Sequence, residues 1–241
     1  MKTKSSPFRG ISHKRLLFIV LFLETVAIAI AILRPNDAFH HFEEGGSITI
    51  LSCLQILAVA VLAGMIFRLE KRSLDSKLRK NAGFWLIVGI GAFLLALDDA
   101  LSLHEQLDVW LHGVLNIEET MVTDLADDII VGIYLILALI YVASQWKTLQ
   151  IFRSSFNYFK IGFVLGGLMV VLDILSNNFL FVSMVTDDPN LMGKMISWLG
   201  IVEETAKIAA EGFFLAGVYQ CWRIVKADSK QPLTVNSTTR A

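Results

Sequence analysis

Six blocks of apolar residues dominate this sequence, at about 15–33, 47–68, 82–103, 126–145, 158–181 and 195–221. A helix rises about 1.5 Å per residue, so crossing the hydrocarbon takes roughly twenty apolar residues, whereas a soluble core helix seldom uses more than about fourteen. With 55% hydrophobic residues and a mean hydropathy of +0.61, too little polar surface is left to clothe a soluble chain of this length. Lipid offers irregular backbone no hydrogen-bond partners. The predicted fold is therefore all-α, a polytopic bundle of six transmembrane helices. The first block follows a basic N-terminus, as a signal peptide would. It lacks a small-x-small cleavage site, however, and Arg34-Pro35-Asn36 follows it directly, so it is expected to stay as the first span.

The net charge of −1 hides an asymmetry. The N-terminus (Lys2, Lys4, Arg9, Lys14, Arg15), the second loop (Lys71, Arg72, Lys77, Arg79, Lys80), the fourth (Lys147, Arg153, Lys160) and the tail (Arg223, Lys226, Lys230, Arg240) are basic. The alternate loops carry Arg34 and Lys194 beside Asp37, Glu43, Glu44, Asp108, Glu118, Glu119, Asp187 and Asp188. Basic loops stay on the cytoplasmic side, which predicts both termini inside, in the inner (plasma) membrane. The expected organisation is a cytoplasmic N-terminus at 1–14, the transmembrane domain at 15–223 and a disordered cytoplasmic tail at 224–241. The basic patches suit anionic lipid headgroups, and nothing points to nucleic acid. Cys53 and Cys221 fall near opposite ends of their spans, too far apart for a disulfide.

Loops are short, which leaves one bundle. The segment 104–125 mixes apolar residues with acids and is expected to form a short surface helix. Asn236-Ser237-Thr238 matches a glycosylation acceptor but falls in the cytoplasmic tail. Spans three and four (GAFLLALDDALS, TDLADDIIVGIYLIL) and spans five and six (LGGLMVVLDILSN, VEETAKIAAEGFFLAG) resemble each other faintly, as parallel repeats would. Gly162 and Gly166 form a small-residue face that admits close helix packing, within the chain or in an oligomer.

Charged groups at a helix centre cost roughly 2.5–3.5 kcal/mol each, so their default reading in a span is functional. Here they are numerous: Glu24, Asp98, Asp99, His104, Glu105, Asp124, Asp127, Asp128, Asp173, Glu203, Glu204, Lys207 and Glu211. At about 100° per residue, Asp98, Ser102 and Glu105 share a stripe, as do Glu204, Lys207 and Glu211, Asp124 and Asp128, and Asp173 and Asn177. His104 points about 120° from the Asp98 stripe. In this topology most of these acids lie in the outer half, with Glu24 and Glu211 near the midplane. The expectation is a cup open to the outside, on which Asp98, Asp173, Glu204 and Glu211 converge.

Packed carboxylates cannot all ionise without a cation, and Lys207 is only one. A divalent metal would meet that need, held by Asp98, Glu204, His104 and Asp173, with Glu105, Lys207 and Glu203 in catalytic roles. Asp99, Ser102, Asp124, Asp127, Asp128, Asn177, Glu211 and Glu24 would complete the cavity. Oxygen ligands with one imidazole suit manganese, iron, calcium, magnesium or zinc. At the membrane boundary, Asp124, Asp127 and Asp128 also fit the simpler role of solvated acids at a helix N-terminus.

The segments LDDALSLHE (97–105) and VEETAK (202–207) resemble those of uncharacterised bacterial multi-pass proteins with a Leu-Asp-acid-Ala…His-Glu segment and a later Glu-Glu pair. Glu203-Glu204-x-x-Lys207 also resembles the first motif of PrsW-type intramembrane proteases, though it lies in the last span and the later Glu and His motifs are missing. Membrane-embedded Asp, Ser and His resemble alkaline-ceramidase-like hydrolases, which use several histidines and seven spans where this chain offers His104 and six. The first resemblance brings no known activity with it; the other two imply a membrane hydrolase. Three functions follow for comparison: a metal-dependent hydrolase acting on a lipid or peptide, a cation or proton-coupled transporter or channel, and an ion-stabilised sensor or structural subunit. A polar track through the inner half would favour transport, and a dry apolar layer there would favour an enzyme.

Overall fold

The computed structural model describes residues 11–34, 39–43, 45–73, 76–103, 106, 110, 113–114, 125–177 and 182–229, with side chains at 76–78, 80–81, 125–132, 134–135, 148 and 177 left aside. Among these residues the regular structure is helical, in six long helices: α1 (His13–Ile32), α2 (Ser47–Lys71), α3 (Ser76–Leu101), α4 (Leu125–Ser144), α5 (Phe156–Asn177) and α6 (Pro189–Asp228). Four stretches are long and apolar enough to cross a membrane, namely His13–Ile32, Ser47–Lys71, Ala82–Leu101 and Gln150–Ser176. Large apolar side chains point outward along them, with Phe18 and Val164 each 71% exposed. Water would not tolerate so extensive an apolar surface, and lipid favours it. The chain is a membrane protein.

Local chemistry sets the helix ends. Ser12 caps α1 by accepting from the Arg15 amide at 3.2 Å, and Asp188 caps α6 through the Asn190 amide at 3.0 Å, with Pro189 opening the helix. The chain enters α2 through Gly45, at φ +75°, and Gly46, where a Cβ would lie 2.5 Å from the His41 carbonyl oxygen. α3 stops at Leu101 because Ser102 adopts φ +50°.

α6 is the spine of the bundle. It packs closely on α5 and α2 and also touches α1, while α2 and α3 form a tight antiparallel pair. At about 1.5 Å per residue its 40 residues extend some 60 Å, well past the expected 195–221 span. It also continues through Ala227 and Asp228, into the segment 224–241 expected as a tail, of which residues 230–241 lie outside the described residues. The Gly162 face is used within the chain, since a Cβ there would sit 3.1 Å from the Phe214 ring of α6, whereas Gly166 faces open space. The segment 104–125, expected as a surface helix, falls mostly outside the described residues.

The buried face of α2 organises the interior. Thr49, Ser52, Gln55, Val59, Ala63, Ile66 and Glu70 recur at three- and four-residue spacing and are all buried. The face is polar near its start, apolar in the middle and acidic at its end. The apolar stretch packs with Trp85 and Ala92 of α3, Phe152, and Leu215, Val218 and Cys221 of α6. A smaller cluster, Ala31, Phe42, Ile48, Ile201 and Ile208, closes the opposite end of the same helices. The polar side chains lie between these two apolar layers. The expected open cup is therefore roofed on its α1–α2 side, because α6 and α2 carry Ile201 and Ile48 beyond their polar residues.

Candidate functional site

The site is built on three positions of α6. Glu204, Lys207 and Glu211 are three and four residues apart, so all three project from one face. Lys207 Nζ donates to Asp99 Oδ1 at 2.5 Å and to Glu204 Oε1 at 3.3 Å, and the three side chains are only 13–18% exposed. One ammonium thus joins the end of α3 to α6.

A second link comes from α2. Ser52 Oγ, fully buried, lies 2.7 Å from Asp99 Oδ2 and 2.8 Å from Glu211 Oε1, and Cys53 Sγ approaches the same Asp99 oxygen at 3.4 Å. A hydroxyl carries one proton. Ser52 therefore donates to one carboxyl at a time, and both contacts are hydrogen bonds only when the other carboxyl brings its own proton. Glu204 Oε2 and Glu211 Oε2 are buried with no hydrogen-bond partner.

Deeper in the bundle Glu24 of α1, 3% exposed, stands beside Gln55 without closing a bond of normal geometry to it. Gly212 makes this approach possible, since a Cβ there would lie 2.6 Å from Glu24 Oε1.

Of the residues expected from sequence, Asp99, Glu204, Lys207 and Glu211 come together, while Glu24 stands beside Gln55 and Gly212. Glu203 turns the other way: Ser176 Oγ lies 3.4 Å from Glu203 Oε2 and 3.0 Å from the Asp173 carbonyl oxygen, on the α5 side. Asp173 and Asp98 are half-buried. It is Asp99, one residue past the expected Asp98, that bonds Lys207 and Ser52. The physical reason is rotational: a step of about 100° turns Asp99 toward α2, and the turn at Ser102 ends the regular stripe that would have carried on to Glu105. His104, Glu105 and Asp124 lie outside the described residues, as do the side chains of Asp127, Asp128 and Asn177. Among the described residues no three His, Cys, Asp or Glu side chains are grouped closely enough to hold a metal ion.

Sequence reasoning missed Ser52 and Gln55. The signal was present, because two polar residues three apart in an apolar span must turn away from lipid.

Apolar outer surfaces around an internal ion-paired cluster define a class: a helical membrane protein with a charged site inside its bundle. Residues 15–221 match the family described as a domain of unknown function (DUF8692), and the chain belongs to that family. No curated protein and no solved structure matches it.

Proposed function

We propose that this chain is a six-span protein of the plasma membrane with both termini in the cytoplasm, and that its Lys207–carboxylate cluster is the proton-binding element of a proton- or cation-coupled transporter. The alternation of basic and acidic loops supports the topology. Ser52 is the observation that carries the function: its single proton cannot serve Asp99 and Glu211 together, so a proton on one of the acids completes the network. Asp99 is held by Lys207, which makes Glu211 the natural carrier. The unpartnered oxygens of Glu204 and Glu211 offer further places for a proton or small cation. A cation arriving at Asp99 and Glu204 competes with the Lys207 ammonium for the same oxygens, and that competition is the means of coupling.

The test is reconstitution into liposomes carrying an internal pH dye, with sodium, potassium or divalent cation gradients imposed in turn. The wild type should move protons against at least one of these gradients, and Asp99→Asn and Lys207→Met should not. Wild-type liposomes as silent as empty ones under every gradient would remove the transporter reading.

The dry layer of Val59, Ala63 and Ile66 beneath the cluster supports a second reading, a one-sided hydrolase acting on a lipid or peptide with a divalent metal. Glu204, His104, Asp98 and Asp173 are its proposed ligands, and Glu204 would exchange Lys207 for the metal. The metal would supply an activated water. Elemental analysis of protein purified without chelators separates the two readings: a stoichiometric divalent metal, lost in Glu204→Gln, would put the hydrolase first.

A further inference from the structure

At the other end of α2 lies a buried carboxyl that neither reading uses. Glu70 is 0% exposed, and neither of its oxygens has a hydrogen-bond partner. The groups around it are Trp85 of α3, Ser155 from the turn before α5 and Cys221 of α6, each at most 1% exposed. The Trp85 indole nitrogen and Ser155 Oγ are themselves buried without a partner. No Lys, Arg or His among the described residues pairs with the Glu70 carboxyl, and the Cys221 thiol is near enough to interact with it electrostatically. Phe152, 0% exposed, packs edge-on against Trp85 at 5.3 Å.

An isolated carboxylate in such surroundings would cost many kcal/mol, so the group either takes a proton or finds a cation. The neighbours decide between these. An indole N–H and a hydroxyl are hydrogen-bond donors, and a thiol is a poor ligand for a hard cation, so the pocket lacks the ring of oxygens that a metal or alkali ion needs.

We infer that Glu70 is a second proton-binding site, which holds its proton at neutral pH and exchanges it from the end of the bundle bearing the basic loops. About 27 Å of α2, lined by Val59, Ala63 and Ile66 on its buried face, separate it from Ser52. The molecule then has a proton site at each end of one helix with a dry layer between, and protons cross only when that layer opens. That last consequence rests on the transporter reading. The proton on Glu70 does not.

The test is infrared spectroscopy of the full-length protein in detergent, with thermal unfolding of wild type, Glu70→Gln and Glu70→Ala between about pH 5 and about pH 9. A folded-state proton held above the carboxyl's unfolded pKa gives stability that is complete at low pH and is lost as pH rises toward the folded value. The wild-type midpoint should therefore fall with pH by several degrees more than that of Glu70→Gln. The wild type should also show a protonated-carboxyl band at neutral pH that Glu70→Gln lacks. An absent band, or a Glu70→Gln midpoint at neutral pH as low as that of Glu70→Ala, would mean that Glu70 is ionised and would overturn the inference. Because the readout is the difference between wild type and Glu70→Gln, protons on Glu211 or Glu204 cancel, and failure of the transporter reading leaves this result untouched.

Discussion

The two ends of the buried face of α2 solve the same problem in opposite ways. Around Ser52, three acids from α3 and α6 are tied together by one ammonium and one hydroxyl. Around Glu70, one acid stands among an indole, a hydroxyl and a thiol with no cation. The difference teaches that a buried carboxyl is not a charge until its surroundings make it one. Lys207 gives Asp99 and Glu204 a cation, while among the described residues none pairs with Glu70. Each end can be broken separately, and the contrast predicts how badly.

Lys207→Met should have the largest effect. Removing one partner of a buried ion pair leaves the other charge uncompensated and costs about 3–5 kcal/mol, and here two carboxylates lose their cation at once. Denaturant or thermal unfolding in detergent measures it. A double variant, Lys207→Met with Asp99→Asn, should lose less than Lys207→Met alone, because one of the stranded charges is gone. An equal or larger loss in the double variant would show that Lys207 acts through packing, and the two ends would no longer differ in kind.

The apolar helices were legible in the sequence because length and hydropathy alone decide what can span lipid, and the α6 stripe was legible because 204, 207 and 211 repeat at helical spacing. That Asp99 would be the acid bonded to Lys207 and Ser52 was not legible, for a definite reason. Periodicity sorts faces relative to one another but does not say which face meets α2, and the end of α3 at Ser102 could not be seen in the run LDDALSLHE. Glu70 was hidden differently. In LEKR it reads as one more charge in a basic loop, and only the packing of Trp85 and Cys221 over it reveals a buried group. The sequence shows Lys207 as one cation among many acids; it does not show that the ammonium sits between α3 and α6 and bridges Asp99 to Glu204.

Ser52→Ala ranks second. It removes the one hydrogen bond that the hydroxyl donates to a carboxylate, worth about 1.5–3 kcal/mol, so a loss of that size is expected by the same unfolding assay. Gly212→Ala comes next. Its Cβ would meet Glu24 Oε1 at 2.6 Å and Val20 Cγ1 at 3.0 Å, an overpacking that should cost about 1–2 kcal/mol. Combining it with Glu24→Ala, which clears the space, should recover most of the steric part; no recovery would mean that Gly212 is needed for something other than room for Glu24.

The smallest expected effect is the most direct comparison, because Ser155→Ala makes at the Glu70 end the same chemical change that Ser52→Ala makes at the other. Ser155 is as buried as Ser52, both being 0% exposed, so desolvation and packing nearly cancel between the two variants. They differ in their partners. Ser52 Oγ contacts two carboxyls at 2.7 and 2.8 Å, whereas Ser155 Oγ lies beside the Cys221 thiol and closes no bond of ordinary geometry. Deleting an unpaired buried hydroxyl also removes its desolvation penalty, so Ser155→Ala should change stability by less than about 1 kcal/mol, in either direction. A loss matching that of Ser52→Ala would mean that Ser155 donates to an ionised Glu70. The two ends of α2 would then use the same device, and Glu70 would carry a charge where a proton is inferred.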